Sequence, residues 1–123
     1  MNTNMIADAL LAFLETKHSR VYRNKATRSP IFPYVVFRLE SVIDSTPSED
    51  FYVYVDIYED TTKSVRFMED LADTIDNALN DKVMNADGFN AHFMREGRQF
   101  IDGNELVSSQ VINMRYNTRI YFE

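Results

Sequence analysis

FYVYVDIYED, residues 51–60, divides into two faces when it is written as a strand. Phe51, Val53, Val55 and Ile57 fall on one side, and Tyr52, Tyr54, Asp56 and Tyr58 on the other, because side chains alternate across a pleated backbone. The first set is a core stripe. The second faces water in a sheet covered on one side only, yet it holds three tyrosines. What that face meets is the question the sequence raises.

The flanking segments extend the pattern. Residues 34–43, YVVFRLESVI, put Val35, Phe37, Leu39 and Ile43 on one face with Ser41, and Tyr34, Val36, Arg38, Glu40 and Val42 on the other. The polar run Asp44–Asp50 contains Pro47 and reads as a loop, so the two strands most simply form an antiparallel hairpin. Residues 62–80 place Val65, Met68, Leu71, Ala72, Ile75 and Leu79 on one helical stripe, with Glu69, Asp70, Asp73 and Asp76 mostly off it. Asp60, Thr61 or Thr62 is expected to cap that helix, whose length of roughly 25–30 Å suffices to cover a small sheet.

Residues 4–16 predict a shorter amphipathic helix through Ile6, Leu10, Phe13 and Leu14, capped by Thr3 or Asn4. Beyond Asp87-Gly88, Phe89, Ala91 and Phe93 alternate with polar residues, and Asp102-Gly103 signals a turn. The last run, residues 111–122, sets Ile112, Met114, Tyr116, Ile120 and Phe122 against Asn113, Arg115, Asn117 and Arg119. Val21-Tyr22 adds a short strand. The expected architecture is α+β: an antiparallel-rich sheet of four or five strands with two helices packed on one face, as a single domain over residues 1–123.

A chain of 123 residues with 9 Phe and 7 Tyr can bury a core without staples. It has no Cys, which removes disulfides and thiolate metal sites and suits a reducing compartment. Asp8 interrupts the N-terminal apolar stretch, which has no basic leader, so no signal peptide is expected. No run approaches the roughly 20 apolar residues of a membrane span, and a soluble protein is expected.

Chemistry is sparse. Glycines at 88, 97 and 103 build neither a P-loop nor a dinucleotide fingerprint. His18 and His92 stand on different elements, and the carboxylates of residues 69–76 read as the solvated face of a helix. No catalytic, metal or cofactor site is expected. Two surfaces remain. Tyr52, Tyr54 and Tyr58, joined by Arg38, Arg115 and Arg119 on neighbouring strands, form a candidate protein interface; cross-strand pairing alone is the simpler account of the tyrosines. Lys17, Arg20, Arg23, Lys25 and Arg28 stand in a segment without a single acid, although the net charge is −6. That segment is a candidate docking arm for an acidic protein surface or for nucleic acid, or else a solvated loop. With Pro30 and Pro33 it makes residues 17–32 the least regular part of the chain, where mobility is expected.

Val21-Tyr22, the Phe32–Val36 segment, the Val53–Tyr58 strand and the helix carrying Leu71, Ile75 and Leu79 occur in an order and spacing with a familiar look. Over roughly residues 20–80 the chain resembles the tail-terminator, or tail-to-head joining, proteins of long-tailed bacteriophages. The resemblance implies a non-enzymatic structural protein without cofactor that forms a hexameric ring on the tail tube. It stops tube polymerisation and docks to the filled head. The implied partners are further copies of itself, the tail-tube protein and a head-connector or head-completion protein. DNA passes through the ring without specific binding, and no membrane is involved. The implied location is the tail–head junction of the virion, after assembly in the cytoplasm of a bacterial host. Competing readings are a head-completion or minor capsid protein at the neck, a free-standing nucleic-acid-binding module using residues 17–28, and a small hydrolase in which His92 or the carboxylates converge in a pocket.

Overall fold

The computed structural model describes residues 3–28, 30–45, 48–101 and 109–122, and for residues 41–45, 48 and 49 the backbone alone. The elements run α1 (Thr3–Glu15), β1 (Val21–Arg23), β2 (Tyr34–Ser45), β3 (Ser48–Asp60), α2 (Arg66–Leu79), β4 (Lys82–Ala86), β5 (Phe89–Ile101) and β6 (Ser109–Phe122). The strands form one six-stranded sheet in the order β1-β2-β3-β6-β5-β4. β1 is parallel to β2 and every other pair is antiparallel.

The α+β class holds, but the sheet is mixed and has six strands, not four or five. The additional strand is β4, KVMNA, which presents no clean alternation because it lies at an edge, with Lys82, Val83 and Asn85 exposed. What makes it a strand is its neighbour: Asp87-Gly88 turns the chain back, with Gly88 at φ +94°, and pairs Ala86 with Phe89 and Lys82 with Phe93. The parallel pair arises because the chain leaves β1 through Asn24, at φ +68°, and returns to the same end before entering β2.

The sheet divides by parity as residues 51–60 require. Val35 and Phe37 of β2, Phe51, Val53, Val55 and Ile57 of β3, Ile112, Met114, Tyr116 and Ile120 of β6, and Phe89, Ala91 and Phe93 of β5 are buried. They form one core with Ile6, Ala7, Leu10 and Leu14 of α1 and Met68, Ala72, Ile75 and Leu79 of α2. Both helices therefore cover the same face.

Two local expectations fail for identifiable reasons. The Asp44–Asp50 run is not a loop throughout: Ile43 pairs with Asp50, Asp44 with Glu49 and Ser45 with Ser48, past a bulge between Ser41 and Ile43. Pairing of Ser48–Asp50 with Arg119–Tyr121 on the other side of β3 extends the ladder into this polar sequence. The second helix begins at Arg66, not at 62, and its N-cap residue, Val65, supplies no side-chain bond. The Asp60 carboxylate instead accepts from the Thr62 N–H at 2.9 Å and the Thr62 hydroxyl at 3.0 Å, which closes a turn and holds its own pKa below the usual carboxylate value. Gln110 fastens that turn, donating to the carbonyls of Asp60 at 3.0 Å and Lys63 at 2.8 Å. The Asp102-Gly103 turn signal lies outside the described residues.

α2 is fixed to the sheet by polar bonds as well as by burial. The Tyr116 hydroxyl donates to Asp76 Oδ1 at 2.7 Å, and Arg95 Nη1 donates to Asp76 Oδ2 at 2.8 Å. One turn earlier, Arg98 Nη1 reaches Asp73 Oδ1 at 2.7 Å. The acids read as a solvated helix face are thus partly a seam between α2 and β5.

Candidate protein-docking face

The face turned away from the helices is a grid set by the ladder register. Across β2, β3, β6 and β5 run the rows Tyr34–Tyr58–Val111–Ile101, Val36–Asp56–Asn113–Gln99, Arg38–Tyr54–Arg115–Gly97 and Glu40–Tyr52–Asn117–Met94. Successive rows are about 6–7 Å apart, two residues along each strand.

The three tyrosines take different parts. Tyr58 stacks on Tyr34 with ring centroids 4.9 Å apart and planes 11° from parallel. Phe32, at 5.4 Å, and Tyr22, at 6.1 Å, continue that cluster from Tyr34. Burial raises both the Tyr34 and Tyr58 hydroxyl pKa values, and the Asp56 carboxylate adds to the rise at Tyr58. Tyr52 and Tyr54 meet edge to face at 6.2 Å, and each carries a guanidinium. Arg38 Cζ lies 3.9 Å from the Tyr54 centroid, and Arg115 Cζ 5.1 Å from that of Tyr52. All three tyrosines are half-buried within the chain itself.

The arginines are held in place from their other side. Arg38 pairs with Glu40 at 3.7 Å, Arg115 with Glu96 at 3.5 Å and Arg119 with Asp50 at 3.1 Å. Glu96 reaches Arg115 because a register shift between Arg95 and Gly97 inserts it on β5. Gly97 then adds no side chain to the row, and a cleft of about 350 Å³ opens over Arg38, Tyr54, Asp56, Asn113 and Arg115. The fold therefore gathers Tyr52, Tyr54, Arg38 and Arg115 into one alternating aromatic–cation patch. Tyr58 belongs to the aromatic end of the face, and Arg119 stands at the opposite end beside His92, Met94, Asn117 and Tyr121.

Asp56, at the base of the cleft, is a site residue that the sequence reading did not single out. Its neighbours in the row are Val36 and Asn113, and Tyr54 and Tyr58 flank it on β3. Burial lifts its carboxyl pKa from 3.8 to about 6, against the opposing pull of Arg38. The folded chain thus holds this proton more tightly than the unfolded chain does. Its contribution to stability is full below about pH 4 and is lost as pH rises through about 6. Asp56→Asn should remove that loss: at pH 8 the variant is expected to be about 1 kcal/mol more stable, once solvent screening of a partly exposed group is allowed for. At pH 4 the two should match. Urea denaturation at both pH values measures the difference, and equal stabilities at pH 8 would refute the burial argument.

The basic segment is arranged quite differently from the cations of the sheet. Arg20 donates to the Pro33 carbonyl at 3.1 Å and the Phe32 carbonyl at 3.4 Å. His18 Nε2 donates to the same Pro33 carbonyl at 2.8 Å. Arg23 reaches the Asn4 side-chain oxygen at 2.8 Å, and the Lys17 ammonium lies 5.5 Å from the Phe13 ring centroid. Lys25 and Arg28 are exposed. Arg38, Arg95, Arg98, Arg115 and Arg119 each meet a carboxylate. No cation from Lys17 to Arg28 does so among the described residues.

Tyr22 packs against Tyr34 with the two ring planes 75° apart, as part of the aromatic cluster. His92 Nε2 donates to Asp81 Oδ1 at 3.0 Å, far from His18. Among the described residues no group of three or more His, Asp or Glu side chains is placed to hold a metal ion, and no helix is long and apolar enough to cross a membrane.

No protein-family model matches the sequence, and no curated protein matches it either. The fold, in contrast, has solved counterparts. One solved chain superposes on 98% of this protein and 93% of its own length, with a TM-score of 0.70 at 11% identity. Another, from the virion of a native gene transfer agent particle, covers 97% of this chain and 93% of its own, with a TM-score of 0.67 at 12% identity. The overall fold of this chain is thus one that a chain of that virion also adopts.

Proposed function

We propose that this chain is a structural protein of a phage-type virion that caps the tail tube and joins tail to head as a hexameric ring. The observation that carries the reading is the near end-to-end likeness to a chain of a gene transfer agent virion. It agrees with the sequence resemblance to tail-terminator proteins. The outer face supports it: tyrosines bearing stacked arginines offer large, rigid, amphipathic area suited to a protein partner. In this reading the chain performs no catalysis. The tail-tube protein and a head-connector or head-completion protein are its neighbours, and DNA passes through the ring.

The test is native mass by light scattering, alone and with tail-tube protein, together with electron microscopy of particles made without this chain. A sixfold particle, and heads lacking tails beside tubes of uncontrolled length, are the expected results. Normal tailed particles in its absence would overturn the reading. Tailless heads beside tubes of normal length would favour a head-completion role at the neck instead.

A further inference from the structure

The arginines of β2, β5 and β6 fall into two groups. Arg95, Arg98 and Arg119 are hydrogen-bonded to carboxylates at 2.8, 2.7 and 3.1 Å. Arg38 and Arg115 are not: Glu40 and Glu96 stand 3.7 and 3.5 Å from them, farther than a hydrogen bond reaches. These two are also the arginines that lie over tyrosine rings, Arg38 over Tyr54 and Arg115 over Tyr52. Contact with a ring face steadies a guanidinium while using none of its N–H donors.

Both arginines border the 350 Å³ cleft. Gly97 continues their row, and a methyl group placed on it would meet nothing within 4 Å, so the space beside Arg115 is open. Arg98 lines the cleft as well, but its guanidinium is bound to Asp73 of α2. Among the described residues lining the cleft, Asp56 is the one acid, and it forms an ion pair with neither guanidinium. The cleft thus offers charged donors that the chain itself leaves unused. A carboxylate, with two coplanar oxygens, is the group that matches guanidinium donors best. A polyanion such as nucleic acid is disfavoured by the net charge of −6 and by Glu40 and Glu96 beside the two arginines.

Asp56 sets the condition for such a guest. Arg38 approaches it from β2, Tyr54 and Tyr58 flank it on β3, Asn113 and Arg115 stand on β6, and Gln99 closes the row on β5. Two carboxylates sharing one cleft repel each other as anions, and a single proton held between them turns the repulsion into a hydrogen bond. Burial already favours the proton on Asp56, and a partner covering the cleft removes more water from it.

We infer that the cleft receives an aspartate or glutamate side chain of the docked protein, whose carboxylate takes the free donors of Arg38 and Arg115 while Asp56, carrying a proton, donates to it from the cleft floor. The inference rests on the reading of this face as a docking surface and names the group that enters it. Docking then takes up one proton from solvent per chain. The free chain holds Asp56 ionised above about pH 6 and the docked chain holds it protonated, so affinity falls as pH rises. A guanidinium–carboxylate contact without Asp56 would show no such fall, because arginine does not titrate in this range.

The probes are tail tubes and, separately, heads from particles assembled without this chain, each co-sedimented with the purified protein. Between about pH 5.5 and pH 8 the affinity for one of them is expected to fall about tenfold or more. Asp56→Asn, whose amide donates at every pH, should flatten that profile, and R38A/R115A should weaken binding across the whole range. A native affinity that is flat or rises with pH, an Asp56→Asn profile that falls as the native one does, or R38A/R115A binding at native strength would each overturn the inference. Self-association of the chain alone, lost in R38A/R115A, would seat a second copy in the cleft and overturn it as well. If the native profile is flat while Y52S/Y54S still abolishes binding, the docking reading stands and only the paired carboxyl groups fall. If neither tubes nor heads bind at any pH, the docking reading fails and the inference with it.

Discussion

Tyr116→Ala is expected to cost about 3–5 kcal/mol, the largest loss of any single substitution considered for this chain. Tyr116 is among the largest fully buried side chains and packs edge-on against Phe93 at 6.4 Å. Its hydroxyl donates to Asp76 in the middle of α2, so truncation removes ring volume from the core and a donor from a carboxylate whose side chain is only 13% exposed. Burial, and then that hydrogen bond, raise the tyrosine pKa above its ordinary value, so the hydroxyl keeps its proton over the working pH range. Tyr116→Phe separates the two contributions. It keeps the ring, leaves Asp76 to Arg95 alone, and should cost about 1–3 kcal/mol, as for hydrogen bonds to charged groups. Urea denaturation at a concentration where the chain is monomeric reads both variants without a contribution from association. If the Phe variant matched the native chain, the hydroxyl–carboxylate bond would contribute nothing and burial alone would hold α2.

The second large effect concerns binding rather than stability. In the proposed assembly role, with this face as the docking surface, Tyr52→Ser with Tyr54→Ser should lower affinity for the proposed tail-tube or head partner at least tenfold, as expected when the aromatic anchors at the centre of an interface are removed. The fold should survive. The tyrosine–arginine contacts at this half-exposed face contribute about 0.5–1 kcal/mol each, and the core stripe on the other side of β3 is untouched. Arg38→Ala with Arg115→Ala should act in the same direction, because each guanidinium is stacked and ion-paired in a position to meet a carboxylate or carbonyl of the partner. Incorporation into particles and co-sedimentation with tail tubes are the measurements. Native incorporation of the tyrosine double variant would assign the tyrosines to cross-strand packing alone.

Residues 51–60 determined a good deal by themselves. Strict alternation can be satisfied only by a strand with two unlike faces, so the buried stripe, its match to residues 34–40 and 112–120, and the side on which both helices sit were legible in the sequence. Period and polarity are local properties of a chain, and the two helices showed through theirs for the same reason. The tyrosines and arginines were assigned to the outer face on the same evidence, and the ladder register arranges them in neighbouring rows.

Register is a tertiary property. It made Arg38, Tyr54, Arg115 and Gly97 one row, stacked Tyr58 on Tyr34 rather than leaving it open, and buried Asp56 among neighbours 20 to 57 residues away in sequence. β4 became a strand because a turn returned it to β5, and the Asp60 turn displaced the start of α2 through bonds from Gln110, 50 residues further on. The charges show the same division. The sequence revealed a segment with cations and no acid. Only the fold could show that Arg20 and Arg23 meet neutral oxygens while the sheet's arginines meet carboxylates, because which charges come within a few ångströms of each other depends on how distant segments pack.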